Sequence, residues 1–244
     1  MKKLYEKNEL FFALLWIGIY VVAMSVMDNL SISLGQEHAV TAAGSLAISI
    51  FLFLWLKEEK LLGKFGLCKG HAAPRAFLWY IPLILITTRN IWSGIRMNDS
   101  MVGTFLFVAK MLGVGFLEEL IFRGFLFKAM GKDSVKWAVV VSSITFGLGH
   151  ILNLFNGSGM DLTENLFQIA SAMVIGFLYV IIFHRGGSLW PCVLSHGCFN
   201  SLSAFENTGA PIQEVTVYRV VLCALALIYA LVLLKTLPKA AEEK

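Results

Sequence analysis

The sequence predicts an all-α, polytopic membrane protein with about eight transmembrane helices and both termini in the cytoplasm. Its 244 residues are 57% hydrophobic and only 15% charged, with a mean hydropathy of +0.74, which is outside the range of ordinary soluble domains. Several apolar runs approach the roughly 20 residues that cross a bilayer. The positive charges gather between alternate runs, as the positive-inside rule describes.

The apolar runs define the predicted spans, which together form a single membrane domain, residues 1–244. Their approximate bounds are 10–27, 39–56, 76–93, 101–129, 136–155, 165–184, 188–205 and 217–235. The third is the least regular, because Pro82 interrupts it and Arg89 is expected to snorkel outward from its end. The first is too long and uninterrupted for a cleaved signal peptide, so we expect it to remain as an anchor.

The positive charges predict the orientation. Fifteen of the twenty Lys and Arg residues fall at the same ends of these spans: Lys2, Lys3, Lys7, Lys57, Lys60, Lys64, Lys69, Arg75, Lys128, Lys132, Lys136, Arg185, Lys235, Lys239 and Lys244. These ends are therefore predicted to be cytoplasmic. We expect a multi-pass protein of a bacterial cell (inner) membrane. No basic cluster with interleaved aromatics indicates nucleic-acid binding. The cysteines form no CxxC pair, so disulfides are not expected.

The fourth span carries two adjacent carboxylates and an arginine in an otherwise apolar stretch. A charge near the bilayer centre costs at least ~2.5–3.5 kcal/mol on insertion scales, so such groups tend to pair, line a cavity and mark function. Residues four apart share a helix face, so Glu119 and Arg123 are expected to pair while Glu118 points elsewhere. Without a local partner, Glu118 is available as a general base. The alternative is an ion pair that only locks helix packing.

The fifth and seventh spans add further polar groups. His150 lies one turn after Phe146, which is expected to pack, and Asn153 is at most a supporting residue. His196 and Asn200 are four apart and project together, so both can donate hydrogen bonds to one point, as a developing oxyanion requires. Each of these groups could instead hydrogen-bond a neighbouring helix, worth about 0.6–2 kcal/mol per bond.

In combination, a carboxylate base, a histidine and a two-donor stripe from separate helices supply the parts for adding water to an amide carbonyl. We expect such a site to lie within the membrane and to be reached from its cytoplasmic half. Lys110, also in the fourth span, is interpreted as a distant charge partner, a pocket-lining residue or a snorkelling residue, and not as catalytic.

The ordered motifs resemble those of a known family. They are Glu118-Glu119-x-x-x-Arg123, then Phe146-x-x-x-His150, then His196-x-x-x-Asn200. They are similar to the three motifs of the CPBP (CAAX protease and bacteriocin-processing, or Abi) family of intramembrane proteases, relatives of the type II CAAX prenyl endopeptidase. The resemblance extends over roughly residues 115–203, within a catalytic core at about 101–205.

The resemblance implies a role for each motif. Glu118 and His150 would activate the attacking water, and Glu119 and Arg123 would support the first motif. The histidine and the asparagine of the third motif would hold the oxyanion. Zinc is possible, because Glu118 and the two histidines could form a His₂Glu site. We favour a metal-free reaction, since no H-E-x-x-H pair occurs and an oxyanion explains Asn200 better than a cation does.

The leading hypothesis is an intramembrane endopeptidase that cleaves membrane-associated peptides or proteins at the cytoplasmic interface, with membrane lipid as its surroundings. Its substrates would be of the CAAX type or peptides such as bacteriocins. One alternative is a non-catalytic membrane regulator or immunity protein that keeps the fold. Another is a proton-coupled transporter, since intramembrane carboxylates and histidines also build proton relays. Transporters usually show repeats and broken helices in matched positions, whereas only one span here, the one with Gly113 and Gly115, is interrupted by glycine.

Overall fold

The computed structural model describes residues 1–154 and 161–237, and in these residues the chain is helical, with one isolated β-bridge between Ile95 and Glu206. The α-helices are α1 (Lys2–Lys7), α2 (Glu9–Ser33), α3 (Ala39–Glu58), α4 (Ile81–Thr87), α5 (Met101–Glu119), α6 (Lys128–Gly131), α7 (Val135–Gly149), α8 (Leu162–Gly186), α9 (Trp190–Leu202) and α10 (Ile212–Thr236). Short 3₁₀ helices cover Pro74–Tyr80, Arg89–Ile91, His150–Leu154 and Ser203–Phe205. A π-helix, Leu120–Phe127, joins α5 to α6 and is called the π segment below.

Five helices of the described ranges are long and apolar enough to cross a membrane: Glu9–Ser33, Ala39–Glu58, Val135–Leu154, Leu162–Gly186 and Ile212–Thr236. They correspond to the first, second, fifth, sixth and eighth predicted spans, and residue 155 of the fifth lies outside the described residues. Large apolar side chains stay exposed on their outer faces, for example Val22 on α2 and Ile228 on α10. The chain is therefore an integral membrane protein, and a total of eight spans stays a prediction.

The third predicted span, 76–93, is wrong as one continuous helix. Its backbone turns left-handed at Leu78, Trp79 and Tyr80, where φ is 50°, 55° and 58°. Side chains disfavour this conformation, so it ends one helical turn and redirects the chain before α4 begins. Pro82 lies in the first turn of α4, where no backbone N–H is needed, so it starts a helix instead of interrupting one.

Two charged side chains for which the sequence predicted no defined partner form ion pairs in the structure. Arg89 does not snorkel outward: its side chain is buried and its Nη1 donates to Glu206 Oε1 at 2.8 Å. Lys110 Nζ lies 2.6 Å from Asp28 Oδ1, so its partner is on α2 and is not a glutamate of the fourth span. Both pairs join segments that are distant in sequence.

Ion pairs bring several of the basic chain segments to one end of the molecule, which we call the basic end. Lys2 pairs with Glu59 at 2.6 Å, and both Lys64 and Lys132 contact the Glu9 carboxylate at 2.8 Å. The loop after α3 also reaches the C-terminal end of α8, where the backbone N–H of residue 189 donates to the carbonyl of residue 66 at 2.8 Å. This is the grouping that the charge pattern predicted. Which side of the membrane it faces stays a prediction.

Glycines allow the central helices to approach closely. A Cβ atom on Gly115 of α5 would lie 2.6 Å from the backbone nitrogen of Gly197 on α9. A Cβ atom on Gly113 would lie 2.5 Å from Ser45 Oγ on α3. Small residues let helix backbones meet in a membrane, where lipid tails compete for apolar contact. The α5–α9 crossing therefore brings the end of α5 against His196.

Candidate active site

The first motif lies where α5 passes into the π segment. All eight residues of the π segment are buried. Such wide turns are rare, occur frequently at functional sites and disturb the regular hydrogen bonds of a helix. Here Ser142 of α7 donates its hydroxyl to the Phe122 carbonyl at 2.9 Å, which anchors the segment to α7. Glu118 and Glu119 precede the segment, and Arg123 lies within it.

Glu119 and Arg123 form the predicted ion pair in the interior of the molecule. Arg123 Nη1 donates to Glu119 Oε1 at 3.0 Å, and neither side chain is exposed. The guanidinium carbon also lies 4.0 Å from the centre of the Phe146 ring, a cation–π contact that suits a desolvated arginine. Glu119 Oε1 accepts a second hydrogen bond, from His196 Nδ1 at 2.8 Å. Because a carboxylate only accepts, His196 carries a hydrogen on Nδ1.

Glu118 has no partner on its own helix, as expected, but it has one from another helix. The Tyr20 hydroxyl of α2 donates to Glu118 Oε1 at 2.5 Å. The other oxygen, Oε2, is 3.6 Å from His196 Nε2, within ion-pair range but beyond a hydrogen bond. The Glu118 side chain is 15% exposed, whereas Glu119 is fully enclosed. The two adjacent carboxylates therefore differ in surroundings, and His196 lies next to both.

His150 is placed where α7 ends and a 3₁₀ turn begins. Its Nδ1 lies 3.2 Å from the Phe146 carbonyl oxygen. A carbonyl only accepts, so Nδ1 carries the hydrogen and Nε2 of a neutral ring is left as an acceptor. Phe146 packs, as predicted, and its ring centre is 5.5 Å from that of His150 and 5.6 Å from that of His196. One phenyl ring thus contacts both motif histidines.

The two asparagines of the sequence analysis have different positions. Asn200 is half-buried one turn after His196 on α9, and its side-chain amide makes no hydrogen bond to another described residue. Asn153 donates to Gln168 Oε1 at 2.8 Å, so it contacts α8. The carbonyl of His150 accepts from Asn165 at 2.8 Å. Asn165, which the sequence did not single out, therefore fixes the backbone of the second motif.

Comparison with known proteins bears on the segment that carries the motifs. Residues 100–202 match the family described as Rce1-like, type II CAAX prenyl endopeptidase. We call residues 100–202 the Rce1-like segment, after the family that they match. It runs from the residue before α5 to the end of α9 and contains all three motifs, which confirms the resemblance drawn from them. No match was found among curated proteins or among solved structures.

A cavity of about 670 Å³ lies beside the third motif. Its walls are mainly apolar and include Tyr80, Leu83, Thr87, Trp190, Ser195 and Cys198. Ser195 directly precedes His196, and its hydroxyl lies 2.7 Å from Thr87 Oγ1 and 2.9 Å from the Tyr179 hydroxyl. The same turn of α9 therefore lines the cavity and carries a motif histidine.

The placement of the motif residues can be compared with that of a three-ligand zinc site. In the described residues, no group of three or more His, Cys, Asp or Glu side chains is arranged to hold a metal ion. His196 has Glu119 on one nitrogen and faces Glu118 with the other, while His150 is oriented by a backbone carbonyl. Glu118, Glu119 and His196 therefore form a cluster of carboxylates and a histidine.

Proposed function

We propose that the chain is an intramembrane endopeptidase of the CAAX type, which hydrolyses peptide bonds of membrane-associated substrates. The observation that carries this proposal is the meeting of Glu118, Glu119, Arg123 and His196 within an Rce1-like segment. Glu119 and His196 are 77 residues apart in sequence. Folding therefore brings the first and third motifs together. A base, a positioned imidazole and nearby donors are what amide hydrolysis by water needs.

In the proposed reaction Glu118 is the general base. Its Oε2 takes a proton from water while the water oxygen bonds to the scissile carbonyl carbon, and the carbonyl π electrons move onto its oxygen. The carbon–nitrogen bond then breaks, and the amine leaves with the proton that Glu118 returns. His150, whose Nδ1 is bound to the Phe146 carbonyl, can orient the same water through Nε2.

The negative oxygen formed in this reaction needs hydrogen-bond donors. The side-chain amide of Asn200 has no other described partner and is one candidate. His196 is the second: with a proton on each nitrogen, Nδ1 donates to Glu119 and Nε2 to the oxyanion. The charge of Glu119 stabilises that cation, and Arg123 holds Glu119 in place. The first and third motifs thus act through each other.

The proposed substrate is a membrane-associated peptide, and the family description suggests a prenylated CAAX peptide. The mainly apolar cavity beside Ser195 supports this class, because it can receive an apolar part of such a substrate next to His196. The proposal includes cytoplasmic termini, which the charge pattern supports. It also includes a bacterial cell membrane as the location. Cleavage would then occur near the cytoplasmic interface, and membrane lipid and the peptide would be the partners.

The test is cleavage of labelled peptides by purified protein in detergent, with prenylated and unprenylated CAAX peptides compared. We expect Glu118→Gln to lower kcat at least about a hundredfold, the usual contribution of a general base. Glu58→Gln is the matched control, because Glu58 is exposed at the end of α3. Equal cleavage by wild type and Glu118→Gln would overturn the proposal. A second arm adds a zinc chelator: retained activity supports the metal-free reaction, and lost activity contradicts it.

A further inference from the structure

The two oxygens of the Glu118 carboxylate lie in different surroundings. Oε1 accepts a 2.5 Å hydrogen bond from the Tyr20 hydroxyl, a length typical of a charge-assisted bond to a carboxylate. Oε2 is left 3.6 Å from His196 Nε2. With one oxygen held, the carboxylate has a fixed rotamer and presents the other oxygen toward the third motif.

The helix that carries Tyr20 is tied to α5 at a second point. Asp28 of α2 lies 2.6 Å from Lys110 of α5 and also accepts from the Thr41 hydroxyl of α3 at 2.7 Å. Tyr20 and Asp28 are eight residues apart, as are Lys110 and Glu118, which is about 12 Å along each helix. The two helices are therefore antiparallel and in a matched register, and the second bond holds α2 where the Tyr20 hydroxyl meets Glu118.

We infer that Tyr20 is a positioning residue for Glu118, and that α2 completes a site that the Rce1-like segment alone leaves unfinished. Tyr20 lies far outside residues 100–202, so no motif of the segment supplies this contact. The inference rests on the proposed function. In that reaction the Tyr20 hydroxyl keeps Oε1 occupied, so that the proton of the attacking water goes to Oε2.

Tyr20→Phe removes the hydroxyl and leaves the ring. In the peptide-cleavage assay we expect kcat to fall about ten- to a hundredfold with little change in KM, because the lost bond is charge-assisted and acts on the base. Tyr229→Phe is the matched control, because its buried hydroxyl donates to the Phe77 carbonyl at 2.7 Å. Tyr229 lies on α10, which packs mainly against α8 and α4. This control should keep its kcat.

The outcomes separate this inference from the proposed function. A wild-type kcat for Tyr20→Phe, or an equal loss in Tyr20→Phe and Tyr229→Phe, would overturn the positioning role while Glu118 remains the base. Equal activity of wild type and Glu118→Gln would overturn the proposed function and this inference with it. If Tyr20→Phe unfolds at lower temperature than Tyr229→Phe, Asp28→Asn gives the second measurement. Asp28→Asn keeps the Tyr20 hydroxyl but weakens the contact with Lys110 that holds α2 against α5. We expect it to lower kcat severalfold, and an unchanged kcat overturns the inference.

Discussion

The helix α5 meets two of its neighbours in different ways. It meets α9 through backbone, at Gly115 and Gly197, where no side chain separates the helices. It meets α2 through long polar side chains, with Tyr20 and Asp28 reaching across, while α2 packs mainly against the π segment and α3. The position of His196 is thus fixed by helix packing, whereas the contact to Glu118 from α2 depends on single hydrogen bonds.

Two of the ion pairs that involve α5 show the same contrast. Glu119 and Arg123 are both 0% exposed, whereas Lys110 and Asp28 are 12% and 33% exposed. A buried charge that loses its partner keeps its full desolvation cost, but a partly exposed one regains water. Substitutions in the α5–α9 region should therefore have large effects on folding, and those at the α2 contact should have small ones.

Arg123→Met should have the largest effect on stability. It leaves the Glu119 carboxylate buried beside His196 without its cation, so we expect a loss of about 3–5 kcal/mol in the free energy of unfolding. The measurement is reversible unfolding in detergent micelles. A loss below about 1 kcal/mol, the value for an exposed pair, would contradict the enclosed position of this ion pair.

Gly115→Ala should have the next largest effect. Its Cβ would lie 2.6 Å from backbone nitrogen, which cannot move aside as a flexible side chain can. We expect α5 and α9 to separate, at a cost of about 1–3 kcal/mol in unfolding free energy. Peptide cleavage should fall with it. Gly18→Ala is the control, because nothing lies within 4 Å of its added carbon. A similar cost in both variants would contradict a close α5–α9 crossing.

Lys110→Met should change unfolding free energy by about 1 kcal/mol or less, the range of partly exposed pairs. The aliphatic stem is largely preserved, and Asp28 keeps the hydrogen bond from Thr41. The same unfolding experiment on Arg123→Met gives the direct comparison. A cost as large as that of Arg123→Met would mean that both contacts of α5 are equally essential to folding.

His38, in the turn between α2 and α3, should give the smallest effect and a pH dependence. Burial and the nearby Lys110 lower the pKa of His38, opposed by the carboxylates of Glu37, Asp28 and Asp99. The unfolded chain then takes up a proton at higher pH than the folded one, so stability is lost as pH falls below about 6.5. His38→Gln should reduce this loss between about pH 7 and 5 in unfolding experiments. Identical pH dependence in both proteins would contradict it.

Much of the outer fold was predictable from hydropathy. The helices α2, α3, α8 and α10 are uninterrupted apolar runs at least as long as a bilayer requires, so their sequences define them within about six residues. The region of the third predicted span was not predictable. Three consecutive left-handed residues carry no sequence signal when none is glycine, and Arg89 finds its partner 117 residues away.

The candidate site was partly predictable for a local reason. The Glu119–Arg123 pair follows from helical spacing. The wider turn of the π segment does not move the two side chains apart. The contact of Tyr20 with Glu118 spans 98 residues, and one tyrosine in an apolar helix looks like any aromatic residue of a membrane span. The role of Gly115 was also hidden, because the glycine was interpreted as an interruption when it is a crossing point.

Glu118 and His150 are proposed to activate one water molecule, and their combined substitution tests this most directly. The measurement is the single-turnover rate of peptide cleavage for Glu118→Gln, His150→Gln and the double variant. When two groups act on one water, the effects of substituting them do not add. The rate of the double variant should therefore be within a small factor of the rate of the slower single variant. Losses that multiply in the double variant would contradict a single shared water.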